Sequence, residues 1–317
     1  MIGVVVITRN EESNIRRTLA SLKSSLISEI IVSDSNSTDQ TSSIVSTLIK
    51  GDYRISFTTY YSAPFTAARG RNEGAKVLSG TSEYILFLDG DMELKAGFVE
   101  AALDKLADDS KLAAVSGQMD NYFYNDNLDL VNRQLEVYDL KKNQAGGAFL
   151  IRKSSFNAVG GFNSNLIVNE EAHLEYKLNI EGYFMQRCDM PMIIHHTEIA
   201  ISKNRLKERL FDRKLTALGV NVYESFSDIK YFKILFRDNP FTLVSALYFL
   251  MLPLLFFVDL YFPLIVLVAL YFVFVLKLRS LRVSVNYVIY GAGLIFGCIN
   301  YSIGRLMRKV IRMREYI

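Results

Sequence analysis

Two long apolar runs near the end of the sequence set the strongest limit on how this chain folds. Residues Phe241 to Leu276 carry a single charge, Asp259, and residues Val283 to Ile303 carry none. At about 1.5 Å per residue, 18 or more such residues can cross about 30 Å of hydrocarbon as a helix. The pattern therefore predicts transmembrane helices within residues 241–304. A buried core helix is the alternative, and the length and uniformity of both runs argue against it.

The number of membrane spans stays open at two or three. A charge at the bilayer centre costs about 2.5–3.5 kcal/mol, so we place Asp259 to Pro263 near an interface, as a turn or kink. Basic residues lie between the two runs and again in a basic tail at 305–317. Because positive residues favour the cytoplasmic side, the larger tail cluster mildly favours an even number of spans with both termini inside.

The segment before the first apolar run, residues 203–240, is basic. From Lys203 to Leu215, lysine and arginine alternate with leucine and phenylalanine at helical spacing. A basic amphipathic helix beside a membrane anchor is typical of a segment that lies on anionic headgroups. We therefore predict basic amphipathic juxtamembrane helices here, with an ordinary solvated helix as the alternative.

Residues 1–202 have the pattern of an α/β domain. Strands such as Gly3–Thr8, Glu29–Ser33 and Tyr84–Leu88 alternate with helices, which predicts a mainly parallel sheet that binds ligands at the carboxyl ends of its strands. The 36 basic and 33 acidic residues give a formal charge of +3, too even for a protein that coats nucleic acid. Two cysteines cannot form a disulfide framework.

Three polar clusters follow strands of this predicted sheet. They are Thr8-Arg9-Asn10-Glu11, the run from Asp34 to Asp39, and Asp89-Gly90-Asp91. Each alone is compatible with ordinary turn and cap residues, but three on one sheet edge indicate a binding site. Two carboxylates two residues apart can bind one hard cation that also bridges to a diphosphate. A glycine-rich phosphate loop and a G-x-G-x-x-G motif are both missing, which argues against a kinase-like ATPase and an NAD dehydrogenase.

These clusters resemble the motifs of family 2 glycosyltransferases of the GT-A fold, inverting enzymes that use nucleotide-diphospho-sugars. The resemblance extends over about residues 2–200 and includes further segments in the family's order. These are Ala68 to Ala75, similar to A-R-N-x-G; Gly146 to Arg152 and Gly160 to Asn163 on the acceptor side; and Asn169 to Leu174, in the place of E-D-x-x-L. The resemblance implies a GT-A domain, mainly parallel and Rossmann-like, followed by a C-terminal helical membrane anchor.

The resemblance also implies roles for individual residues. Nucleotide-sugar contacts are expected from Thr8, Arg9, Asn10, Glu11, Asp34, Asn36, Arg69, Arg71, Asn72, Asp89 and Gly90. A divalent metal, Mn²⁺ or Mg²⁺, is expected on Asp91 with Asp89 and His195, and His195 is preferred to its neighbour His196. Glu171 is expected to be the catalytic base, with Glu170 as the runner-up. Glutamates at a helix start that only interact with the helix dipole are the alternative for either one.

Three departures from the family pattern affect these expectations. Ser35 stands where many members have a second aspartate, which puts UDP in doubt as the donor nucleotide, and Asn36 stands where they have glycine. Arg69 and Arg71 compete for the phosphate role. The acidic pair is Glu-Glu rather than Glu-Asp, so the base carries one more methylene.

The segment Gln118 to Tyr124 is a candidate wall of the acceptor pocket.

Together these features predict a metal-dependent inverting glycosyltransferase that acts on a lipid-linked glycan in surface polysaccharide assembly. The enzyme is expected at the cell inner membrane with its catalytic domain in the cytoplasm. The expected partners are a nucleotide-diphospho-sugar, the lipid-linked glycan and the membrane, with no nucleic acid. The alternatives are transfer to polyprenyl phosphate itself, a non-catalytic nucleotide-binding membrane scaffold, and a nucleotidyltransferase that releases pyrophosphate.

Overall fold

A computed structural model describes residues 1–125, 127–136, 146–198, 213–226, 228–238, 242–243, 245–247 and 291–305. The predicted basic stretch at 203–212, most of the first apolar run and the tail from residue 306 lie outside these ranges. None of the helices in the described ranges combines the length and the apolar character that crossing a bilayer requires. The chain divides into two compact units, Met1–Asn165 with Asn169–Ser202, and Leu166–Val168 with Lys203–Ile317.

The first unit alternates strands and helices and then adds several short strands. In chain order it contains β1 (Ile2–Thr8), α1 (Ile15–Ser21), β2 (Ile27–Asp34), α2 (Thr41–Ile49), β3 (Ile55–Thr59), α3 (Ala67–Val77), β4 (Tyr84–Asp89), β5 (Met92–Leu94), α4 (Phe98–Asp108), β6 (Leu112–Tyr124), β7 (Leu130–Leu135), β8 (Phe149–Arg152), α5 (Lys153–Ala158), α6 (Glu170–Ile180) and β9 (Phe184–Glu198).

These strands form one sheet in the order β3-β2-β1-β4-β8-β6-β9-β5, with β7 paired to β6. Strands β3, β2, β1 and β4 are parallel neighbours, as predicted. In the rest of the sheet the pairing is mixed, because β6 and β9 are parallel, whereas β8 is antiparallel to both β4 and β6, and β5 is antiparallel to β9. The prediction of a mainly parallel sheet is therefore confirmed only in part. The α/β domain is therefore built on a mixed sheet. Strands β5, β7 and β8 have only three to six residues, so the strand-helix alternation does not reveal them.

The centre of the sheet is buried on both faces. Val4, Val5 and Val6 of β1 and Ile85 to Leu88 of β4 have no exposed surface. Such continuous apolar runs are typical of strands covered by helices on each side. Phe87 packs against Phe149, Phe156 and Phe162 on one of these faces.

Helix α3 begins at Ala67. The Thr66 side chain accepts a hydrogen bond from the Arg69 amide at 3.1 Å, which caps the helix there. Arg69 and Arg71 therefore both lie on a formed helix, two residues apart, and their side chains leave it on different sides.

The second unit contains α7 (Arg213–Ser225), α8 (Ile229–Asp238) and a helix over residues 291–305, here α9. Helices α7 and α9 contact each other through the Tyr301 hydroxyl, which donates to Glu224 at 2.7 Å, and through the rings of Tyr223 and Tyr301. The side chain of Asn221 donates to the Val168 carbonyl at 2.9 Å, so residues 166–168 belong with this unit.

Candidate active site

The three polar clusters meet at one edge of the sheet. In the pairing of β1 with its two neighbours, Thr8 lies opposite Asp34 and Ile7 lies opposite Asp89. Because the three strands are parallel, the loops that follow them emerge on the same side. The loops after β1, β2 and β4 therefore form one cleft, as the sequence predicts.

Asp34 holds the first two loops together. It is 1% exposed, and its carboxylate accepts hydrogen bonds from the Thr8 hydroxyl at 3.0 Å and from the amide and hydroxyl of Ser37. The Asn10 amide donates to the Ser37 hydroxyl at 2.9 Å, and the Asn10 side chain accepts from the Thr38 amide at 2.8 Å. Thr8, Asn10 and Asp34 are all expected to contact the nucleotide. In this structure the groups named above form hydrogen bonds that hold the two loops together.

Asn36 has a structural reason to differ from the family's glycine. Its φ of 59° lies in the left-handed region, which glycine enters freely and asparagine tolerates better than most residues. Asparagine at this position therefore adopts a backbone conformation that is also open to glycine. Asn10 adopts the same conformation, with a φ of 60°.

A cleft of about 240 Å³ lies between these loops. It is lined by Ile7, Thr8, Arg9, Glu11, Ser35, Phe65, Thr66, Ala67, Asp89, Gly90 and Asp91. Gly90 forms part of its wall, where a Cβ atom would stand 3.0 Å from both Glu11 Cγ and Thr8 Cγ2. Only glycine allows the β4 loop to approach the β1 loop this closely.

One end of the cleft is flat and carries a cation. The Arg9 guanidinium lies 4.9 Å from the centre of the Phe65 ring, and the Ser35 and Tyr60 hydroxyls bond to each other beside it. Burial raises the pKa of Tyr60, so this hydroxyl stays neutral. Such a surface suits a planar base. The sequence did not identify Phe65 or Tyr60, because neither lies in one of the polar motifs.

Arg69 and Asn72 point away from the cleft's acidic end. The Arg69 guanidinium donates to the carbonyl and hydroxyl of Ser62 and stacks 4.7 Å from the Tyr60 ring. The Asn72 side chain donates to Phe162 and Ser164 at 2.9 Å and accepts from the Phe162 amide. In this structure both residues brace neighbouring loops.

Arg71 is the arginine that reaches the acidic centre. Its side chain is 1% exposed, and its Nη1 lies 3.1 Å from Glu170 Oε1 and 3.0 Å from Glu171 Oε1. Its Nη2 lies 2.9 Å from Asp89 Oδ1 and donates to the Gly147 carbonyl at 3.2 Å. The Arg71 guanidinium thus connects Asp89 of the candidate metal motif, Gly147 of the acceptor-side segment and the two glutamates at the start of α6.

Gly147 completes this arrangement. Its φ of 84° is left-handed, and a Cβ atom would stand 3.2 Å from Asp89 Oδ2. A side chain here would strain the backbone and displace the Asp89 carboxylate. The first glycines of the acceptor-side segment therefore serve the Arg71 cluster.

The cluster places three carboxylates against one cation. Burial raises the pKa of Asp89 to about 6, with Arg71 opposing this shift and Asp91 and Glu171 adding to it. Burial and the nearby Glu171 raise the pKa of Glu170 to about 7. Burial lowers the pKa of Arg71, but the three carboxylates outweigh it and keep the guanidinium charged. The site thus carries an excess of negative charge that a bound cation would relieve.

Asp91 and His195 form a pair beside this cluster. Asp91 Oδ2 lies 3.2 Å from His195 Nε2, while His195 Nδ1 lies 2.9 Å from Asn121 Oδ1. The other Asp91 oxygen, Oδ1, is buried and finds no hydrogen-bond partner among the described residues. Burial lowers the pKa of His195, but Asp91 and Asp89 more than offset this and raise it overall.

The Asp91–His195 pair fits a cation. Acceptors face both ring nitrogens of His195, and a cation at Nε2 would take the place of one proton while also binding Asp91. Carboxylate and imidazole ligands with phosphate oxygens suit Mg²⁺ or Mn²⁺. Asp89, the third expected ligand, is bonded to Arg71. Among the described residues, no group of three or more His, Cys, Asp or Glu side chains is arranged as a metal site.

His196, the neighbour of His195, forms hydrogen bonds with other side chains through both of its ring nitrogens. Its Nε2 lies 2.8 Å from Glu93 Oε1, and its Nδ1 lies 2.8 Å from the Tyr124 hydroxyl and 3.2 Å from Arg17. Burial and the Arg17 charge lower its pKa, so the ring is neutral. Of the two histidines, His195 is the one that contacts Asp91 through its side chain, and its preference as a metal ligand stays a prediction.

The candidate acceptor segment Gln118 to Tyr124 lies on β6. Within it, Asp120 is 3% exposed and bonded to Arg133 and to Lys95. Arg133 holds the pKa of Asp120 below its usual range, with burial opposing and Lys95 reinforcing that effect. Asn121 orients His195, so this strand supports the candidate metal pair. Its role toward an acceptor stays a prediction.

Comparison with known proteins gives a family for the first unit. The profile described as "Glycosyl transferase family 2" matches residues 3–165, just over half of the chain. A GalNAc(5)-diNAcBac-PP-undecaprenol beta-1,3-glucosyltransferase of Campylobacter jejuni is 33% identical over 106 residues, which is 33% of this chain and 34% of that protein. The resemblance derived from the motifs is confirmed.

Two further matches cover more of the chain. The succinoglycan biosynthesis protein ExoA of Rhizobium meliloti is 25% identical over 207 residues, 61% of this chain and 62% of that protein. The chain thus spans about a third and about three fifths of these two curated relatives. A mannosyltransferase of Pyrobaculum calidifontis, solved with GDP-Man and Mn²⁺, superposes with a TM-score of 0.56 at 18% identity, covering 94% of this chain and 86% of that one. This likeness shows a shared GT-A-like fold.

Replacing Arg71 with Met should destabilise the protein by roughly 3–5 kcal/mol, because three carboxylates then lose their buried partner. Adding Glu170→Gln should recover part of that loss, since it removes one of the repelling charges. Urea unfolding followed by tyrosine fluorescence measures both changes. Arg69→Met is the control, because the contacts of the Arg69 side chain among the described residues are with Ser62, Pro64, Glu73 and the Tyr60 ring, and none is with the Arg71 carboxylates. If Arg71→Met were no less stable than Arg69→Met, the cluster would not stabilise this site.

Glu11 should make the protein less stable as the pH rises. Burial raises the pKa of Glu11 from 4.5 to about 7. The hydrogen bond that the Asn14 side chain donates to Glu11 lowers this pKa, whereas the negative charges of Asp91 and Asp89 raise it further. Between these values the folded chain keeps a proton that the unfolded chain has lost, so stability falls with increasing pH. Glu11→Gln should therefore reduce the fall in thermal midpoint between about pH 5 and about pH 7.5. The exposed Asp104→Asn is the control, and an unchanged pH slope in Glu11→Gln would contradict this assignment.

Proposed function

We propose that this chain, which belongs to glycosyl transferase family 2, transfers a sugar from a nucleotide-diphospho-sugar to a hydroxyl of a lipid-linked glycan, with inversion. The observation that carries the proposal is the Arg71 cluster. It joins the Asp89-Gly90-Asp91 loop of the candidate donor cleft to the two glutamates at the start of α6. The candidate donor-binding motif and the candidate base thus share one buried partner, the Arg71 guanidinium.

The charge of the cleft supports a metal-assisted donor. Glu11, Asp89 and Asp91 line it against the single cation Arg9, so a diphosphate alone would be repelled. Asp91 and His195 would hold a divalent cation, Mn²⁺ or Mg²⁺, and Asp89 would join them if it left Arg71. When bound, the cation would neutralise the charge on the departing diphosphate. The end of the cleft at Arg9 and Phe65 would receive the nucleobase of the donor.

Glu171 is the proposed base. Its side chain keeps 16% of its surface exposed, against 8% for Glu170. A general base must be ionised and within reach of the acceptor hydroxyl, whereas the pKa of about 7 leaves Glu170 half protonated near neutral pH. Glu170 then serves to hold Arg71. Attack by the acceptor oxygen on the face opposite the diphosphate inverts the anomeric carbon.

The proposed acceptor is a glycan on a lipid carrier, in surface polysaccharide assembly. The Campylobacter relative is named for an undecaprenol-linked glycan, and the Rhizobium relative for succinoglycan biosynthesis. The apolar runs at 241–276 and 283–303 favour a membrane location. We therefore place the enzyme at the cell inner membrane with the catalytic unit in the cytoplasm, where nucleotide sugars are made.

Glu171→Gln should lower turnover by at least about a hundredfold, because a neutral amide cannot accept the hydroxyl proton. Release of nucleoside diphosphate from a panel of sugar nucleotides, with purified full-length protein and lipid acceptor, measures this. Glu181→Gln is the matched control, since Glu181 is exposed at the other end of α6. A nearly unchanged rate in Glu171→Gln would favour polyprenyl phosphate as the acceptor, because an anionic nucleophile needs no base. No turnover with any donor would favour a non-catalytic scaffold.

A further inference from the structure

Helix α8 in the second unit has one buried and one exposed face, and both carry large apolar side chains. Tyr231 and Leu235 are 1% and 3% exposed and face the protein. Ile229 and Phe236 are 66% and 42% exposed, and Phe226, in the turn before the helix, is 67% exposed. At 3.6 residues per turn, positions 229 and 236 lie on the side opposite 231 and 235.

Two lysines share the exposed side. Lys230 and Lys233 are both exposed, and the structure shows an ion pair for neither of them within the described residues. Asp228 caps the start of the helix, because its Oδ1 accepts hydrogen bonds from the amides of Lys230 and Tyr231 at 3.0 and 3.2 Å. We call Phe226, Ile229, Lys230, Lys233 and Phe236 the outer face of α8.

This mixture of side chains discriminates between possible surroundings. In water, these three large apolar side chains within eleven residues lose the free energy that burial would give them. A protein interface would bury them but would leave the lysines needing carboxylate partners, and lysine is depleted at interface cores. At a bilayer surface the apolar groups enter the acyl boundary while the lysine stems reach out to headgroup phosphates.

A second stripe in the same unit has a similar character. Phe296, Ile299 and Ile303 of α9 are 60%, 51% and 52% exposed and follow one another at spacings of three and four. These spacings place them along one side of the helix. Along the chain, α8 also ends three residues before the apolar run that starts at Phe241.

We infer that the outer face of α8 lies in the interface of an anionic lipid bilayer, with Phe226, Ile229 and Phe236 inserted and both lysines at the headgroups. This extends the proposed function by assigning a surface that contacts the membrane of the lipid-linked acceptor. Each lysine near an anionic leaflet is attracted to the negative surface potential of the lipids. The inference does not depend on the chemistry of transfer, and its test reads fluorescence rather than turnover.

The absence of tryptophan from the sequence makes a direct test possible. Ile229→Trp and Phe236→Trp each introduce one fluorophore on the outer face, where an exposed side chain is replaced. Tyr231→Trp is the control on the inner face of the same helix, and Tyr53→Trp, at a residue 94% exposed in the first unit, is the control in water. The full-length variants are reconstituted in nanodiscs of phosphatidylglycerol and phosphatidylcholine, with and without brominated acyl chains.

We expect the tryptophans at 229 and 236 to show blue-shifted emission that brominated lipid quenches, and those at 231 and 53 to be quenched little. Quenching at 236 should increase with the phosphatidylglycerol fraction, and Lys230→Ser with Lys233→Ser should remove that dependence. Emission at 229 and 236 that matches the Tyr53→Trp variant would place this face in water and overturn the inference. Blue-shifted emission without quenching would mean that another protein segment or a second copy covers it, which would also overturn it.

Discussion

The candidate site depends on the ion pairs of the buried Arg71 guanidinium. This guanidinium is the shared partner of Asp89, Glu170 and Glu171, and it also binds the Gly147 carbonyl. These groups come from β4, from the start of α6 and from the loop before β8, which lie far apart in sequence. Burying charges together is costly unless they are paired, and both Nη atoms of Arg71 are paired here, while its Nε has no hydrogen-bond partner among the described residues. The guanidinium therefore sets where the candidate base stands relative to the donor cleft.

The same cluster explains why the cleft should prefer a cation with its diphosphate. Arg71 neutralises one of the three carboxylates that it binds, and Asp91 and Glu11 add further negative charge nearby. Part of this excess is relieved by protonation, as the raised pKa values of Asp89, Glu170 and Glu11 indicate. A divalent cation would relieve it without protons, and the unpartnered Asp91 Oδ1 is the oxygen best placed to bind one.

Much of the site could be predicted from the sequence because its motifs follow β1, β2 and β4, and parallel strands place such loops on one edge. The partners of Arg71 could not be predicted, because no local pattern tells which of two arginines two residues apart turns inward on α3. Tyr60 and Phe65 lie outside the polar motifs. The antiparallel pairings involve the short strands β5, β7 and β8, which the alternation of strands and helices does not indicate. Asn36 shows the reverse case, since its left-handed φ accounts for a departure from the family pattern that sequence alone left unexplained.

The central claim is that Asp91 and His195 bind a divalent cation that carries a nucleoside diphosphate into a cleft facing Glu171. Calorimetric titration of the full-length protein with UDP, GDP and dTDP, each with and without Mn²⁺, tests it most directly. We expect at least one of these nucleotides to bind with Mn²⁺ and to lose that binding when Mn²⁺ is withheld or when Asp91 is changed to Asn. A nucleotide that binds equally well without a divalent cation, or binds the Asp91→Asn protein as it binds the unaltered one, would contradict the account.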